Sequence, residues 1–389
     1  MRYKTIQLSK AADIIVGFPF ASEKFNLNAQ GIRLVRGKNI TTGNLRWGDD
    51  TRWWDDFSID LSKYMLKADD IVIGMDGSLV GKNYAKISEN DLPLLLVQRV
   101  ACIRAKEGYD QRFLWGCIAS GTFERYIDSI KTGTSIPHIS GGQIGNYPIP
   151  DFDLQTQKKI AAILSALDEK IAINRAINEN LERQAQALFS SLYERSNTEV
   201  GYTDMIQILG GGTPKTGENT YWNGNIAFFT PKDVGTPYTL ITEKTITEEG
   251  LSHCNSRLYP VNTVFVTARG TVGKVCMSGV PMAMNQSCYA LVGKEIHQLL
   301  VYFYTLKVVD RLKHKASGAV FDAITTRDFE SEQIMKLSDD DVTAFLRVVE
   351  PMFQEVLNNN IENLRLSTLR DSLLPKLMSG EIDVSAVQL

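Results

Sequence analysis

The 389-residue chain has little of what usually marks chemistry. Its four histidines, His138, His253, His297 and His314, form no H-E-x-x-H or other metal spacing. The five cysteines (Cys102, Cys117, Cys254, Cys276, Cys288) are odd in number, scattered and never spaced C-x-x-C. That argues against a disulfide framework and a zinc ribbon and for a reducing compartment. No apolar run approaches the ~18 residues that cross a bilayer, and Met1-Arg-Tyr-Lys-Thr-Ile-Gln lacks the apolar core of a signal peptide, so a soluble, cytoplasmic protein is expected. The absence of Pro-Pro excludes the (Asn/Asp)-Pro-Pro-aromatic tetrapeptide of amino-methyltransferases, and no G-x-S-x-G elbow occurs. In Gly77-Ser-Leu-Val-Gly-Lys-Asn the glycines are four rather than five apart and Asn83 stands where a phosphate loop needs Ser or Thr, so the segment reads as a turn. Gly210-Gly-Gly-Thr-Pro-Lys-Thr-Gly lacks the G-K-[ST] ending. Charge of one sign is missing too. Lys+Arg total 42 against 45 Asp+Glu, a net charge of −3, which excludes a uniformly basic coat but not a local basic face. No catalytic residue, metal or cofactor is assigned to this chain; a binding protein is expected.

What is present is a repeat. Ile71–Lys82 reads IVIGMDGSLVGK and Val264–Lys274 reads VFVTARGTVGK, each a β-branched run, a Gly turn, then Gly-Lys. Leu96-Val-Gln-Arg-Val-Ala-Cys-Ile is similar to Met284-Asn-Gln-Ser-Cys-Tyr-Ala-Leu, and Thr132–Ile139 to Ser317–Ile324. A cut near Ser196 leaves nearly equal halves. In each half, Gly and Pro punctuate short β-branched and aromatic runs for ~150 residues, as in a mixed α+β domain.

From Asp151 to Val200 there is neither Gly nor Pro, so helix can propagate. Ile160, Leu164, Leu167, Ile171, Asn174, Asn178, Leu181, Ala185, Leu188 and Leu192 alternate steps of 4 and 3, a coiled-coil seam. The pattern returns 185 residues later from Phe345 to Leu377, with Asn359 and Asn363 in the asparagine places. Ser338-Asp-Asp-Asp supplies a cap and dipole-compensating acids; Pro351 is expected to kink this second helix and Pro375 to end it. Pairing residues whose numbers sum to 537 sets Asn174 against Asn363 and Asn178 against Asn359, with apolar layers outside. An antiparallel pair thus buries asparagine on asparagine, which fixes register because a slip strands an amide. The alternative packs each helix on its own domain with the asparagines in solvent. The fold expected is α+β: two similar mixed α/β domains separated by two long helices in an intramolecular antiparallel coiled coil. This is a pseudo-two-fold repeat with the domains at opposite ends of a rod.

These residues resemble the specificity subunits of type I restriction-modification enzymes. Gly17-Phe-Pro-Phe-Ala-Ser and Ile32-Arg-Leu-Val-Arg-Gly-Lys-Asn-Ile are similar to the opening of a first target recognition domain. Gly211-Gly-Thr-Pro-Lys-Thr and Tyr221–Val234 are similar to the opening of the second. Ile149–Leu164 resembles the central conserved helix and Leu369–Ile382 the distal one. The resemblance implies target recognition domains at 1–151 and 197–337, a central conserved helix at 152–196, and a distal helix with tail at 338–389. It implies that each domain reads half of a bipartite double-stranded DNA site. The helices set spacing and dock two modification (methyltransferase) subunits, with restriction subunits joining outside. S-adenosylmethionine, ATP and Mg²⁺ then belong to those partners.

DNA readers need cations for phosphates and Arg, Lys, Asn or Gln for base edges. Arg33, Arg36, Lys38, Asn39, Asn44, Arg46 and Arg52 cluster with Trp47, Trp53 and Trp54, diluted by Asp49, Asp50, Asp55 and Asp56. The parallel stretch holds Lys215, Asn223, Asn225, Lys232 and Asp233. The Gly-Lys turns add Lys82, Asn83, Arg269 and Lys274, where backbone can approach a phosphate, or where a hairpin tip merely carries a solvated lysine. The candidate DNA contacts are Arg36, Lys38, Asn39, Arg46, Lys82, Asn83, Lys215, Lys232, Arg269 and Lys274. Asn174, Asn178, Asn359 and Asn363 are the candidate register residues. Ile173, Ile177 and Phe189, outside the seam, either dock a partner or pack on the globular domains. The competing readings are a scaffold of two protein-binding modules on a coiled coil and, in a third class, a nuclease or methyltransferase with no recognisable motif.

Overall fold

The computed structural model describes residues 4–133, 137–235, 237–315 and 323–387. The chain divides into two compact units, Met1–Lys170 with Leu366–Leu389, and Ile171–Arg365.

The two main sheets of unit 1 are built from β1 (Ala12–Val16), β2 (Ile32–Val35), β3 (Thr42–Gly43) and β4 (Trp53–Trp54), followed by β5 (Ile71–Gly74), β6 (Tyr84–Lys86), β7 (Leu94–Leu96) and β8 (Val100–Ala105). Helices α1 (Gln111–Ala119) and α2 (Gly121–Ile130) follow. A five-stranded sheet has the order β1-β8-β5-β6-β3, and a three-stranded sheet the order β4-β2-β7. β3 runs parallel to β6 and β2 to β7; the other pairs are antiparallel. The alternation of a strand explains the layers. Ile71, Ile73, Ala101 and Ile103 face the helices, while Val72, Val100 and Cys102 face the smaller sheet.

A long helix, α3 (Leu154–Arg195), contributes to both units. Asp153 caps it, its carboxylate accepting from Thr156 N at 3.0 Å. Unit 2 repeats unit 1 strand for strand. β9 (Ile206–Gly210), β10 (Trp222–Phe229), β11 (Tyr238–Thr239) and β12 (Lys244–Ile246) precede β13 (Val264–Thr267), β14 (Val275–Ser278), β15 (Met282–Met284) and β16 (Cys288–Gly293). The sheets are β9-β16-β13-β14-β11 and β12-β10-β15, with the same two parallel pairs. Helix α4 (Gln298–Lys315) covers the larger sheet, and α5 (Asp339–Met378) closes the fold. The expected similarity of 132–139 to 317–324 falls partly outside the described residues.

Ser338 caps α5 as its sequence suggests, its Oγ accepting from Asp341 N at 3.2 Å. The helix is unbroken through Pro351, and Pro375 does not end it. Both rings are exposed, where a carbonyl deprived of its amide partner can be hydrated.

The two long helices pack antiparallel. In unit 2, Asn174 Nδ2 donates to Asn363 Oδ1 at 3.0 Å and Asn359 Nδ2 to Asn178 Oδ1 at 2.9 Å. Asn174, Asn178 and Asn359 are buried, so the solvent-facing alternative does not hold. Two groups the seam did not include join them. Asn360 Oδ1 accepts from Asn178 at 3.0 Å and Glu362 from Asn174 at 2.7 Å. In unit 1 the same helices meet through Leu164, Leu374 and Leu377 and an ion pair of Asp168 with Arg370 at 2.8 Å.

The apolar stripe is wider than a strict seam because α3 and α5 also pack on α4. Phe189 is fully buried, stacked on Phe303 at 5.2 Å and edge-on to Phe345 at 5.7 Å. Of the three residues offered for docking, it belongs to the core. Ile173 and Ile177 stay exposed, at 55% and 40%.

Candidate nucleic-acid interface

In each unit one end of the five-stranded sheet gathers four connections. Register sets Val16 opposite Ala101 and Gly74 opposite Val100, and β2 and β7 end side by side at Val35 and Leu96. Segments 17–20, 36–39, 75–83 and 97–99 therefore leave or enter at one edge. In unit 2, Gly210 faces Tyr289, Thr267 faces Cys288 and Phe229 lies beside Met284. The same edge collects 211–215, 230–233, 268–274 and 285–287.

Local chemistry shapes these segments alike in both units. Each Gly-Lys hairpin turns on two glycines of positive φ, Gly77 and Gly81 in one, Gly270 and Gly273 in the other. Gly17 and Gly211 let the first segment cross the fourth, since a Cβ would lie 2.2 Å from the carbonyl oxygen of Val97 or Asn285. The second segment is a tight turn with lysine at its apex. Arg36 N donates to Asn39 Oδ1 at 3.2 Å, and Thr230 N to Asp233 Oδ2 at 2.8 Å. The apices, Lys38 and Lys232, sit beside the hairpins. A Cβ on Gly37 would lie 3.5 Å from Asp76 Oδ1, and Thr271 Oγ1 donates to the Pro231 carbonyl at 3.1 Å.

The predicted contacts divide accordingly. Lys38, Arg46, Lys82, Lys215, Lys232, Arg269 and Lys274 are exposed around these ends. Arg36 is half-buried and donates to the Asp50 carbonyl. Asn39 and Asn83 offer no side-chain surface to a ligand. Asn39 is 1% exposed and braces its own loop, Nδ2 donating to the Arg46 carbonyl at 3.2 Å. Asn83 is buried under its hairpin, its amide nitrogen reaching the Leu79 carbonyl at 2.8 Å and the Gly74 carbonyl at 3.2 Å. Arg33 lies over the Trp47 ring at 4.7 Å, and Trp54 is core. Asn223 and Asn225 lie at the far end of β10 from Lys232.

Several cations are partly neutralised. Lys38 pairs with Asp50 at 2.6 Å, holding that carboxyl below its usual range. Lys232 pairs loosely with Glu243 at 3.8 Å. Lys82 pairs with Glu124 on α2 at 2.9 Å, which raises its pKa. Lys274 instead faces Lys313 of α4, whose pKa burial and this neighbour lower.

The sequence reading missed the fourth segment as a site. Gln98 and Arg99 in unit 1, and Gln286 in unit 2, are exposed there. The signal was the recurrence of Gln in the repeat. Among the described residues no three His, Cys, Asp or Glu side chains group as metal ligands, and no helix is long and apolar enough to cross a membrane.

A family model described as a type I restriction modification DNA specificity domain matches residues 18–183 and 196–336. The chain is 24% identical over 355 residues to the type I restriction enzyme HindI specificity subunit of Haemophilus influenzae, covering 69% of this chain and 77% of that protein. It is 23% identical over 327 residues to the MjaIX specificity subunit of Methanocaldococcus jannaschii, covering 77% and 75%. Among solved structures, the S subunit of a type I restriction-modification system from M. genitalium shares the fold, with a TM-score of 0.62 at 15% identity over 97% of this chain and 96% of that one.

Proposed function

Because this chain belongs to the type I restriction-modification DNA specificity family, we propose that it reads a bipartite duplex, the four-segment end of each unit contacting one half. DNA sequence specificity is the work of this family, and its members are recognition subunits rather than catalysts. The observation that carries the two-reader form is the recurrence of one loop framework in both units with different side chains on it. Lys38, Arg46, Lys82, Lys215, Lys232, Arg269 and Lys274 serve as phosphate or base contacts, with Arg36 and Asn39 holding the apex turn. The helices set the separation of the readers, and the buried asparagines fix their register.

A chain of net charge −3 has little general pull on DNA, so tight binding calls on partners. These are two methyltransferase subunits and, outside them, restriction subunits, which carry S-adenosylmethionine, ATP and Mg²⁺ in the cytoplasm. Exposed Ile173 and Ile177 on α3 suit docking of the former. A scaffold for two proteins is not favoured, since the family match spans both units.

The test exchanges residues 1–150 for those of a relative and maps the methylated sequence in a host carrying the partner subunits. One half of the recognised sequence should change and the other stay. Both halves changing together would sink the two-reader form.

A further inference from the structure

Four segments converge at each reading end, and the second and third carry the predicted cations in both units. The fourth, between β7 and β8, is set apart by its backbone. Arg99 has φ 72°, a left-handed conformation that a residue with a long side chain avoids. The surrounding hydrogen bonds impose it. Gln98 N donates to the Phe18 carbonyl at 2.8 Å, Val100 N to the Val97 carbonyl at 3.1 Å, and Met75 N to the carbonyl of Arg99 itself at 2.8 Å. The turn is therefore rigid, tied at once to the first segment and to the hairpin. Strain held in place by its surroundings is a reason to look for a use.

The guanidinium supplies the use. Arg33 donates to the Asp91 carbonyl, Arg36 to the Asp50 carbonyl, and Arg46 to the Lys38 carbonyl at 3.2 Å. The Arg99 side chain is 60% exposed, and its ion pair among the described residues is a long one, Nε to Asp76 Oδ2 at 4.0 Å. It is a planar, five-donor group on a fixed backbone, largely uncommitted. Beside it, Gln98 is exposed, and unit 2 places Gln286 at the same turn. There Thr213 Oγ1 donates to Gln286 Oε1, which leaves the amide nitrogen as a donor. Unit 2 has Ser287 where unit 1 has Arg99, and carries its arginine one segment over. Arg269 stands where unit 1 has Asp76, its backbone N donating to the Ser287 carbonyl at 3.2 Å.

We propose that the β7–β8 turn, Gln98-Arg99, and its counterpart at Gln286 are base-reading elements, and that Arg99 determines specificity for a guanine in the half-site of unit 1. Arginine donates two parallel bonds to guanine O6 and N7, and glutamine pairs in the same bidentate way with adenine N6 and N7 in the major groove. A rigid turn suits this role better than a mobile lysine, because bidentate pairing requires the fork to be held in plane. The assignment rests on the DNA-reading function proposed above.

The experiment selects bound duplexes from a randomised library, using the full-length chain assembled with its methyltransferase subunits. Wild type is compared with Arg99→Gly, Arg99→Lys, Gln286→Ala and Arg125→Ala, an exposed arginine on α2. Glycine accepts the left-handed backbone, so thermal unfolding of Arg99→Gly should match or exceed wild type, separating loss of reading from loss of fold. Arg99→Gly and Arg99→Lys should both relax one G·C position of one half-site, by roughly tenfold to a hundredfold, with the other half and the spacer unchanged. Gln286→Ala should relax a position of the other half, and Arg125→Ala should change neither. A wild-type motif that the Arg99 variants leave untouched overturns the assignment alone. So does a uniform loss of affinity across all sequences, which marks a phosphate contact. Enrichment of no two-part motif by the wild-type assembly overturns the DNA reading itself, and this assignment with it.

Discussion

In unit 1 the hairpin is held by a side chain of its outgoing strand. Asn83 folds under the turn and occupies the space above Gly74, where a Cβ would lie 1.9 Å from its side-chain amide. In unit 2 the hold comes from the incoming strand. Thr267, at the position of Gly74, donates to the Thr271 carbonyl and accepts from Lys274 N at 2.9 Å, and Val275 takes the place of Asn83. A turn built on two left-handed glycines leaves backbone groups facing inward, and one polar side chain must meet them. Either strand can supply it. The pair teaches that the loop framework is fixed by hydrogen-bond accounting, while the residues around it are free to differ. Charge differs in the same way, since Lys82 is neutralised by Glu124 whereas Lys274 faces a second lysine.

The strongest test of the packing behind this comparison is in the core both long helices build in unit 2. Phe189→Ala should cost about 3–5 kcal/mol in denaturant unfolding. Ile173→Ala, on the same helix but exposed, should stay within about 0.5 kcal/mol. Next comes the hairpin. Gly74→Ala should destabilise unit 1 by about 1–3 kcal/mol through the clash with Asn83. The double change Gly74→Thr with Asn83→Val, which installs the solution of unit 2, should recover most of the loss. No recovery would mean that the two closures are not interchangeable.

The helix pair gives a comparable effect. Asn178→Leu leaves Asn359 buried without its partner and should cost about 1–3 kcal/mol, whereas Asp168→Ala, which removes a partly exposed ion pair in unit 1, should cost at most about 1 kcal/mol. Leucine at Asn174, Asn178, Asn359 and Asn363 together should raise stability but loosen register, seen as mixed cross-linking across the pair. The smallest expected effect is on salt dependence. Lys274→Ala should reduce the log–log salt slope of DNA binding by about one, and Lys82→Ala by less, because Glu124 already compensates that lysine.

These contrasts also show what the sequence carried. The repeat, the two helices and the asparagine pairing were legible because a 3–4 period and a constant residue-number sum are geometric facts that survive tertiary packing. Phe189 and Pro375 were not, because a helix packed on a third partner buries a wider stripe and an exposed proline need not end it. Asn39 and Asn83 look like base readers by residue type, yet asparagine in a turn commonly satisfies its own backbone. Arg99 was illegible for another reason. Its strained backbone arises where strands over 80 residues apart end at one edge, and nothing local to Gln98-Arg99 announces that meeting.

The opposite closures of the two hairpins bear on how duplicated halves can trade material. A crossover between the copies inside the hairpin would join Thr267-type incoming strand to Asn83-type outgoing strand and place two side chains in one site. The reciprocal product would pair Gly with Val and leave the turn's backbone unmet. Both products are expected to be less stable than either parent hairpin, while exchanges beyond the hairpin keep each closure intact. The hairpin with its closing side chain is therefore the unit that an exchange between the copies must move whole.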